Sequence, residues 1–317
     1  MFNPAIQNSF RAALMMTAAS CFIGMTAILA KTLGQGFNGE SLHPLQVSAG
    51  RFGFALLTIL IFLLIKRYKF EKPHYLIHFS RSVFGWIGVT CMFAAVTLIP
   101  VPDAISISFL NPVFAMFLAL LILKERVGAL RWSAAGIALA GSIILLRPGF
   151  DGFQLGALIA FAAALCFGIE VIFIKKLSGM EAPLQILCIN NSIGFVISLT
   201  AASFVWVNPT ERQWAELIAL GVIMVTAQSL FIQAMRSSDA SYVLPFSYLS
   251  LVFATIYDFL IFKSQPDWIS FLGAFTIVSG AIILSVKGYY EHRQKSGKSV
   301  KKFTRHKSGT FLRLLKR

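Results

Sequence analysis

The chain has 317 residues, of which 57% are hydrophobic and only 13% are charged, whereas soluble globular proteins carry about 25% charged residues. Its formal net charge of +15 does not indicate a nucleic-acid partner, because 11 of the 28 lysines and arginines follow Ser285 in a basic tail. The four cysteines lie in different apolar runs without metal-ligand spacing, so neither a metal site nor a cofactor is expected.

Ten apolar runs of about 20 residues follow one another along the chain, and each is long enough to cross about 30 Å of hydrocarbon as a helix. They predict helices at 11–31, 45–65, 76–97, 103–123, 129–146, 155–175, 183–206, 213–235, 241–262 and 268–287. Four of the five tryptophans stand at the ends of these runs, where the amphipathic indole ring prefers the headgroup layer. The predicted fold class is an all-α polytopic membrane protein of ten transmembrane helices.

Lysine and arginine are distributed unequally between the two ends of these helices. One face collects Arg11, the connections after the second, fourth, sixth and eighth helices, and the basic tail. The other face has only Lys31, Arg147, Arg212 and Lys263. Since positively charged connections stay on the cytoplasmic side, we expect a multi-pass protein of the bacterial cell inner membrane with both termini cytoplasmic.

The second half of the chain repeats residues of the first at a spacing of about 140 positions. The matching pairs include Gly24 with Gly168, Lys31 with Lys175, Pro44-Leu45-Gln46 with Pro183-Leu184-Gln185, and Gly141 with Gly280. Because five is an odd number of crossings, the second half enters the membrane from the opposite side, which makes an inverted repeat. Inverted repeats in transporters place a site near the midplane and expose it alternately by rocking one bundle against the other.

The repeat divides the chain into four segments. We expect a cytoplasmic N-terminal segment at 1–10, five-helix repeats at 11–147 and 155–287, and a basic cytoplasmic tail at 288–317. For the tail, contact with anionic lipid and a dedicated regulatory partner are both open interpretations.

A family resemblance is strongest between Leu98 and Gly149, in LIPVPDAISISFLNPVFAMFLALLILKERVGALRWSAAGIALAGSIILLRPG. This stretch, Arg51-Phe52 and Phe246-Ser247-Tyr248-Leu249 resemble the ten-helix EamA-type branch of the drug/metabolite transporter superfamily. The sequence departs from the family at Phe262-Lys263, where a Gly-Glu pair is common. The resemblance implies two EamA-type repeats and transport of small organic solutes, in either direction.

Polar side chains within the predicted helices are the candidates for binding cargo, because such groups are costly to insert unless they face a cavity or a partner. The candidate substrate-binding residues are Arg51, Asn111, Glu170, Asn190, Asn191, Gln228 and Tyr248. Arg51 suits a carboxylate or phosphate, since a guanidinium donates to two oxygens at once, but a structural ion pair is the alternative. Glu170 could carry a coupling proton, or form a salt bridge to Arg51 or Arg81.

Two further charges and two prolines indicate structural or gating roles. Arg81 and Asp258 lie near the ends of their helices, which favours structural or gating functions over contact with cargo. Asn111-Pro112 and Pro245 interrupt helices four and nine, where a missing backbone donor frees a carbonyl that can face a cavity or mark a hinge.

The sequence therefore predicts a secondary transporter that moves a small polar metabolite by alternating access. Its cavity is expected between helices one, three, four, six, eight and nine, with Arg51 reaching in from helix two. The chain lacks a G-x-x-x-x-G-K-[ST] loop, so we expect an ion gradient, with a proton or cation, or exchange, or the solute's own gradient to drive transport. The alternatives are a non-transporting scaffold or receptor and an intramembrane enzyme, and a homo-oligomer is left open.

Overall fold

The computed structural model describes residues 9–36, 39–67, 70–98, 105, 107–125, 127–146, 155–263, 267–269, 271–283 and 286. The basic tail, Asp103 and most of the N-terminal segment lie outside these residues. Within them the chain forms ten helices and no strand. These are α1 (Ser9–Gln35), α2 (Pro44–Lys66), α3 (Tyr75–Leu98), α4 (Asn111–Ile122), α5 (Ala129–Leu146), α6 (Leu155–Ser178), α7 (Pro183–Ala202), α8 (Glu211–Ser237), α9 (Ala240–Phe262) and α10 (Phe271–Ile283).

The predicted all-α class and the count of ten helices are confirmed. By length and apolar composition, six helices in the described part of the chain are able to cross a bilayer: α1, α2, α6, α7, α8 and α9. Three shorter apolar helices correspond to α4, α5 and α10.

Local sequence explains where several helices begin and end. Pro44 and Pro183 occupy the first turns of α2 and α7, where a missing N–H costs no hydrogen bond. Thr210 and Gln213 form a reciprocal capping box at the start of α8. Lys263 ends α9 in the left-handed conformation, at φ 57°.

The helix predicted at 103–123 is interrupted in the structure, because a turn at Phe109 and Leu110 separates α4 from the helical residues before it. Pro112 has no N–H to give to the carbonyl of Ser108, and the Asn111 side chain donates to that carbonyl instead, at 2.9 Å. In α9 a 3₁₀ segment, Leu244–Tyr248, contains Pro245. Both proline sites thus break their helices, as the sequence predicts.

Contacts between helices follow the repeat. α1 packs against α8 and α9, and its counterpart α6 packs against α3 and α4. The sequence match of Gly24 with Gly168 has a structural basis, because each glycine lets the neighbouring helix approach closely. A Cβ on Gly24 would lie within 3.0 Å of atoms of Ser250, Phe253 and Ala254 in α9. A Cβ on Gly168 would lie within 3.3 Å of Asn111, Phe114 and Ala115, which have the same spacing in α4.

The contact between α2 of the first repeat and α7 of the second is reciprocal as well, because each helix presents a glycine to an aromatic ring of the other. A Cβ on Gly53 of α2 would meet the ring of Phe195 in α7 at 2.8 Å, and one on Gly194 of α7 would meet the ring of Phe52 at 2.4 Å. The chain therefore folds as two five-helix repeats whose interactions with each other are reciprocal.

Candidate functional site

A cavity of about 290 Å³ lies between the two repeats. Its lining comes from α2 and α3 of the first repeat and from α6, α7 and α8 of the second. The polar lining residues are Ser48, Arg51, Ser82, Glu170, Asn190, Ser198 and Gln228. Between them stand the aromatic rings of Phe52, Trp86 and Phe167. The cavity therefore combines a few polar groups with flat apolar walls, which is typical of small-molecule sites.

The helices that line this cavity differ from those predicted. Among the described residues, the prediction was right for α3, α6 and α8 and for Arg51 on α2, but wrong for α1, α4 and α9, and it missed α7. The reason lies in the packing. α1 packs against α8 and α9, and α4 packs against α6, whereas α2 of the first repeat and α7 of the second pack against each other.

The charged centre of the cavity is Glu170, which has an arginine partner on α3. Arg81 Nε lies 3.6 Å from Glu170 Oε1, and the Arg81 side chain is almost fully buried. Arg51 is near enough to interact electrostatically with the same carboxylate. Gly85 makes room for it, since a Cβ there would lie 3.1 Å from the carboxyl carbon. Two guanidinium groups thus face one carboxylate, which leaves an excess positive charge beside the cavity.

Burial leaves polar atoms of α3 without partners in the described residues. The atoms without a hydrogen-bond partner are Nδ1 of His78, Nε and Nη1 of Arg81 and the hydroxyl of Ser82, which itself lines the cavity. Of these, Arg81 Nε still takes part in the ion pair with Glu170. A buried donor without an acceptor costs free energy, so a ligand or water that supplies oxygen atoms would be favoured here.

The amide candidates gather on the facing helices α7 and α8. Asn190 and Gln228 line the cavity, while Asn191 is buried behind them. Asn191 Nδ2 donates to the carbonyl of Leu187 at 2.8 Å and lies 3.4 Å from Oε1 of Gln228. Asn191 therefore orients Gln228, and Asn190 occupies the position in α7 that Arg51 occupies in α2.

The remaining candidates lie away from the lining of this cavity. Asn111 caps the break before α4, and the hydroxyl of fully buried Tyr248 donates to the carbonyl of Phe109 at 2.7 Å. These two side chains satisfy the carbonyls freed by the turn at Phe109. Asp258 forms an ion pair with Lys31 at 2.5 Å, between α9 and α1.

Sequence reasoning missed Phe52, Ser82, Phe167 and Ser198 as lining residues. Aromatic and small residues occur on every face of these helices, so nothing in the pattern distinguishes the faces. A signal available in the sequence was Gly194 inside α7, because glycine inside a helix has an energetic cost unless packing requires it. In the structure, the ring of Phe52 packs against this glycine.

Comparison with known proteins shows similarity over nearly the whole chain. The sequence profile of the EamA-like transporter family matches residues 10–147 and 154–286. A riboflavin transporter of Rhizobium johnstonii is 31% identical over 239 residues, covering 74% of this chain and 78% of the relative. An S-adenosylmethionine uptake transporter of Rickettsia prowazekii is 28% identical over 82% of this chain and 88% of its own length.

More distant matches agree with these. A pseudopaline exporter of Pseudomonas aeruginosa is 24% identical over 74% of this chain and 84% of its own. A protein of known crystal structure superposes with a TM-score of 0.74 at 19% identity, over 86% of this chain and 98% of that one, which supports the fold alone. The relatives are named as transporters and not as enzymes. The chain is a multi-pass membrane protein that belongs to the EamA-like transporter family, whose members transport small molecules.

Proposed function

We propose that this protein is a secondary transporter that carries a small polar organic metabolite across the inner membrane by alternating access. The observation that carries the proposal is the cavity shared by the two repeats, in which Arg51, Glu170, Asn190 and Gln228 converge among apolar walls. A site at the junction of two inverted bundles becomes exposed to either face when one bundle rocks against the other.

The charges around the cavity favour a cargo that brings a carboxylate or another anionic group. Arg51 and Arg81 together exceed the single charge of Glu170, and Nη1 of Arg81 has no hydrogen-bond partner among the described residues. An anionic oxygen on the cargo would complete this arrangement, while the rings of Trp86 and Phe167 would contact its apolar part. The cavity volume suits a compact molecule.

Glu170 supports two roles that experiment can separate. Its carboxylate forms an ion pair with Arg81, which supports a structural role. It also lines the cavity, where a coupling proton or cation could reach it. If it carries a proton, transport by Glu170→Gln loses its dependence on a pH gradient while exchange of cargo persists. If the ion pair is structural, Glu170→Gln lowers the amount of folded protein in the membrane.

The placement in the membrane is proposed from the distribution of charge. The connection between α2 and α3 carries lysines and an arginine, and the last turn of α6 carries Lys175 and Lys176, so we place both on the cytoplasmic side, together with both termini. The repeats are proposed to span 11–147 and 155–287, followed by a tail at 288–317 that contacts anionic lipid.

A transport assay in reconstituted vesicles tests the function. The panel would hold amino acids, other carboxylates and nucleotides, with riboflavin and S-adenosylmethionine included because relatives carry those names. We expect uptake or exchange of at least one solute that is abolished by Arg51→Gln. Binding of a solute without any flux would support the receptor alternative instead.

A further inference from the structure

Two buried glutamine side chains join the repeats by the same pair of hydrogen bonds. In α7, Gln185 accepts the N–H of Glu71 at 2.9 Å and donates to the Glu71 carbonyl at 3.2 Å. In α2, Gln46 accepts the N–H of Val207 at 3.1 Å and donates to the Val207 carbonyl at 2.5 Å. Each amide thus holds the main chain of one residue, and we call the two interactions the Gln185 clasp and the Gln46 clasp.

The two clasps occupy equivalent positions in the repeats. Both glutamines are the third residue of a Pro-Leu-Gln sequence that begins the second helix of a repeat. Each binds the connection that precedes the third helix of the other repeat, α2–α3 for Gln185 and α7–α8 for Gln46. Because the repeats are inverted, the clasps lie at opposite faces of the membrane.

The surroundings of the two clasps are chemically different. Two residues before the proline of each sequence stands Glu181 in the second repeat and Leu42 in the first. Leu42 is buried in an apolar cluster with Leu217 and Leu220 of α8. Beside the Gln46 clasp, the α1–α2 connection is joined to the start of α8 by this apolar packing and by one side-chain hydrogen bond, from Nε2 of buried Gln213 to the carbonyl of Glu40 at 2.7 Å.

Glu181, in contrast, is surrounded by donors. Its Oε1 accepts the main-chain N–H of His74 at 2.8 Å and lies 3.0 Å from Nδ1 of the same residue. Its Oε2 lies 2.9 Å from Nε2 of His78 and accepts from Gln185 at 2.8 Å. The side chains of Glu181 and His78 are only 1% and 2% exposed. Three donor atoms of His74 and His78 thus fix the α6–α7 connection to the start of α3, and the fourth donor belongs to Gln185 in α7.

This cluster lies beyond one end of the cavity. The lining residues of α2 lie in its first three turns and those of α7 in its last four, so the cavity extends toward the face at which α2 begins. Toward the opposite face, the next turn of α3 before the lining residue Ser82 holds His78. On that face Glu125 also accepts the N–H groups of Ala240 and Ser241, which joins the α4–α5 connection to α9.

We propose that Glu181, with His74, His78 and Gln185, is the gate that closes the cavity at the α2–α3 face, and that the Gln46 clasp is its weaker counterpart at the other face. The proposal rests on alternating access. It makes the two gates unequal, so that the resting transporter is closed at the α2–α3 face and opens there only when the cluster at Glu181 separates.

Cysteine labelling tests this gate without any cargo. The reporter is Ser82→Cys in a chain whose four native cysteines are replaced, reconstituted in vesicles and treated with a membrane-impermeant maleimide. A second chain with Tyr75→Cys, at an exposed position beside His74, identifies the vesicle orientation in which the reagent reaches the α2–α3 face. When the reagent is applied at that face, we expect the cysteine at position 82 in Ser82→Cys to react at least fivefold faster if the chain also carries Glu181→Ala or Gln185→Leu.

The matched control is Gln46→Leu, which removes the equivalent clasp at the opposite face. It should not accelerate labelling from the α2–α3 face. His78→Asn, which removes one donor and little volume, should accelerate it to an intermediate extent and serves if Glu181→Ala does not fold. Unchanged labelling in Gln185→Leu and His78→Asn, or equal acceleration by Gln46→Leu, would overturn the gate. A failure of the transport proposal is seen separately, as absence of flux for every solute in parent vesicles.

Discussion

Arg51 is the residue whose geometry can be tested most directly. Its guanidinium carbon lies 3.9 Å from the centre of the Phe52 ring, so the group packs against this ring at the cavity wall. A lysine at this position would keep the charge but lose the planar fork that binds two oxygens.

We therefore expect Arg51→Lys to lower the initial rate of transport at least tenfold while the amount of folded protein changes little. A tenfold loss corresponds to about 1.4 kcal/mol, the size of one charge-assisted hydrogen bond. Arg212→Gln, at an exposed position near the start of α8, is the matched control and should transport normally. Equal losses in both variants would mean that overall charge, and not the position of Arg51, matters.

Glu181 allows a prediction about pH. Burial raises the pKa of its carboxyl, but hydrogen bonds from the His74 main chain and from the His78 and His74 imidazoles outweigh burial, so the pKa lies below the ordinary value of 4.5. A lowered pKa stabilises the folded state above the unfolded pKa, and this contribution is lost as the pH falls through the folded pKa.

The melting temperature of the parent should consequently exceed that of Glu181→Gln at neutral pH, and the difference should not shrink until the pH falls below about 4.5. Thermal unfolding in detergent at a series of pH values measures it. His74, His78 and Arg81 surround position 181 in both proteins, so the difference in melting temperature measures the Glu181 carboxyl together with its interactions with these groups. A difference that has already disappeared at pH 5.5 would contradict the lowered pKa.

At the scale of helices, the close contact of α5 with α10 depends on the absence of a side chain. A Cβ at Gly141 would lie 2.7 Å from the main-chain nitrogen of Ile277, and main chain cannot move aside as a flexible side chain can. Gly136, one turn earlier in α5, has nothing within 4 Å of its Cβ position and provides a control in the same helix.

Gly141→Ala should lower the free energy of unfolding by about 1–3 kcal/mol, the usual cost of overpacking. Gly136→Ala should leave it unchanged or raise it by up to about 1 kcal/mol, because alanine favours the helical conformation. Chemical or thermal unfolding of the purified proteins compares them. A similar loss in both variants would show that helix propensity, and not the contact with α10, decides the outcome.

The sequence predicted the helices and the repeat better than it predicted the cavity. Long apolar runs and matched glycines such as Gly24 and Gly168 act locally, through insertion cost and close packing, so they can be identified from the chain itself. Which face of a membrane helix lines a cavity cannot be identified in this way, since lipid-facing and core-facing residues are both apolar and leave no periodic contrast in the sequence. That is why α7 was missed as a cavity helix and α4 was wrongly included.

The sequence also did not predict the contacts that polar residues make in the connections between helices. Glu181 and His74 are 107 positions apart and meet only because α3 packs on α6. Gln46 and Gln185 were visible as a repeated pair, but their partners are main-chain atoms of the opposite repeat, which no side-chain pattern encodes.

For the whole molecule, the proposed topology fixes where the chain ends. Ten crossings and an excess of positive charge on one face predict that tags at the two termini are both cytoplasmic. Reporter fusions that are active only in the cytoplasm or only in the periplasm measure this, and a tag at Gly39, in the α1–α2 connection, should report the opposite compartment. Termini in different compartments would require an odd number of crossings.

The exposure of Trp86 has a consequence for how ligands should be studied. Trp86 lines the cavity although 52% of its surface is exposed, and neighbouring Val89 is 38% exposed, so part of the chamber wall is also the outer boundary of the protein. In a bilayer or a micelle we expect acyl chains or detergent tails to contact this exposed part of the wall. We therefore expect dissociation constants measured in micelles to differ from those in nanodiscs, and to vary with tail length and saturation.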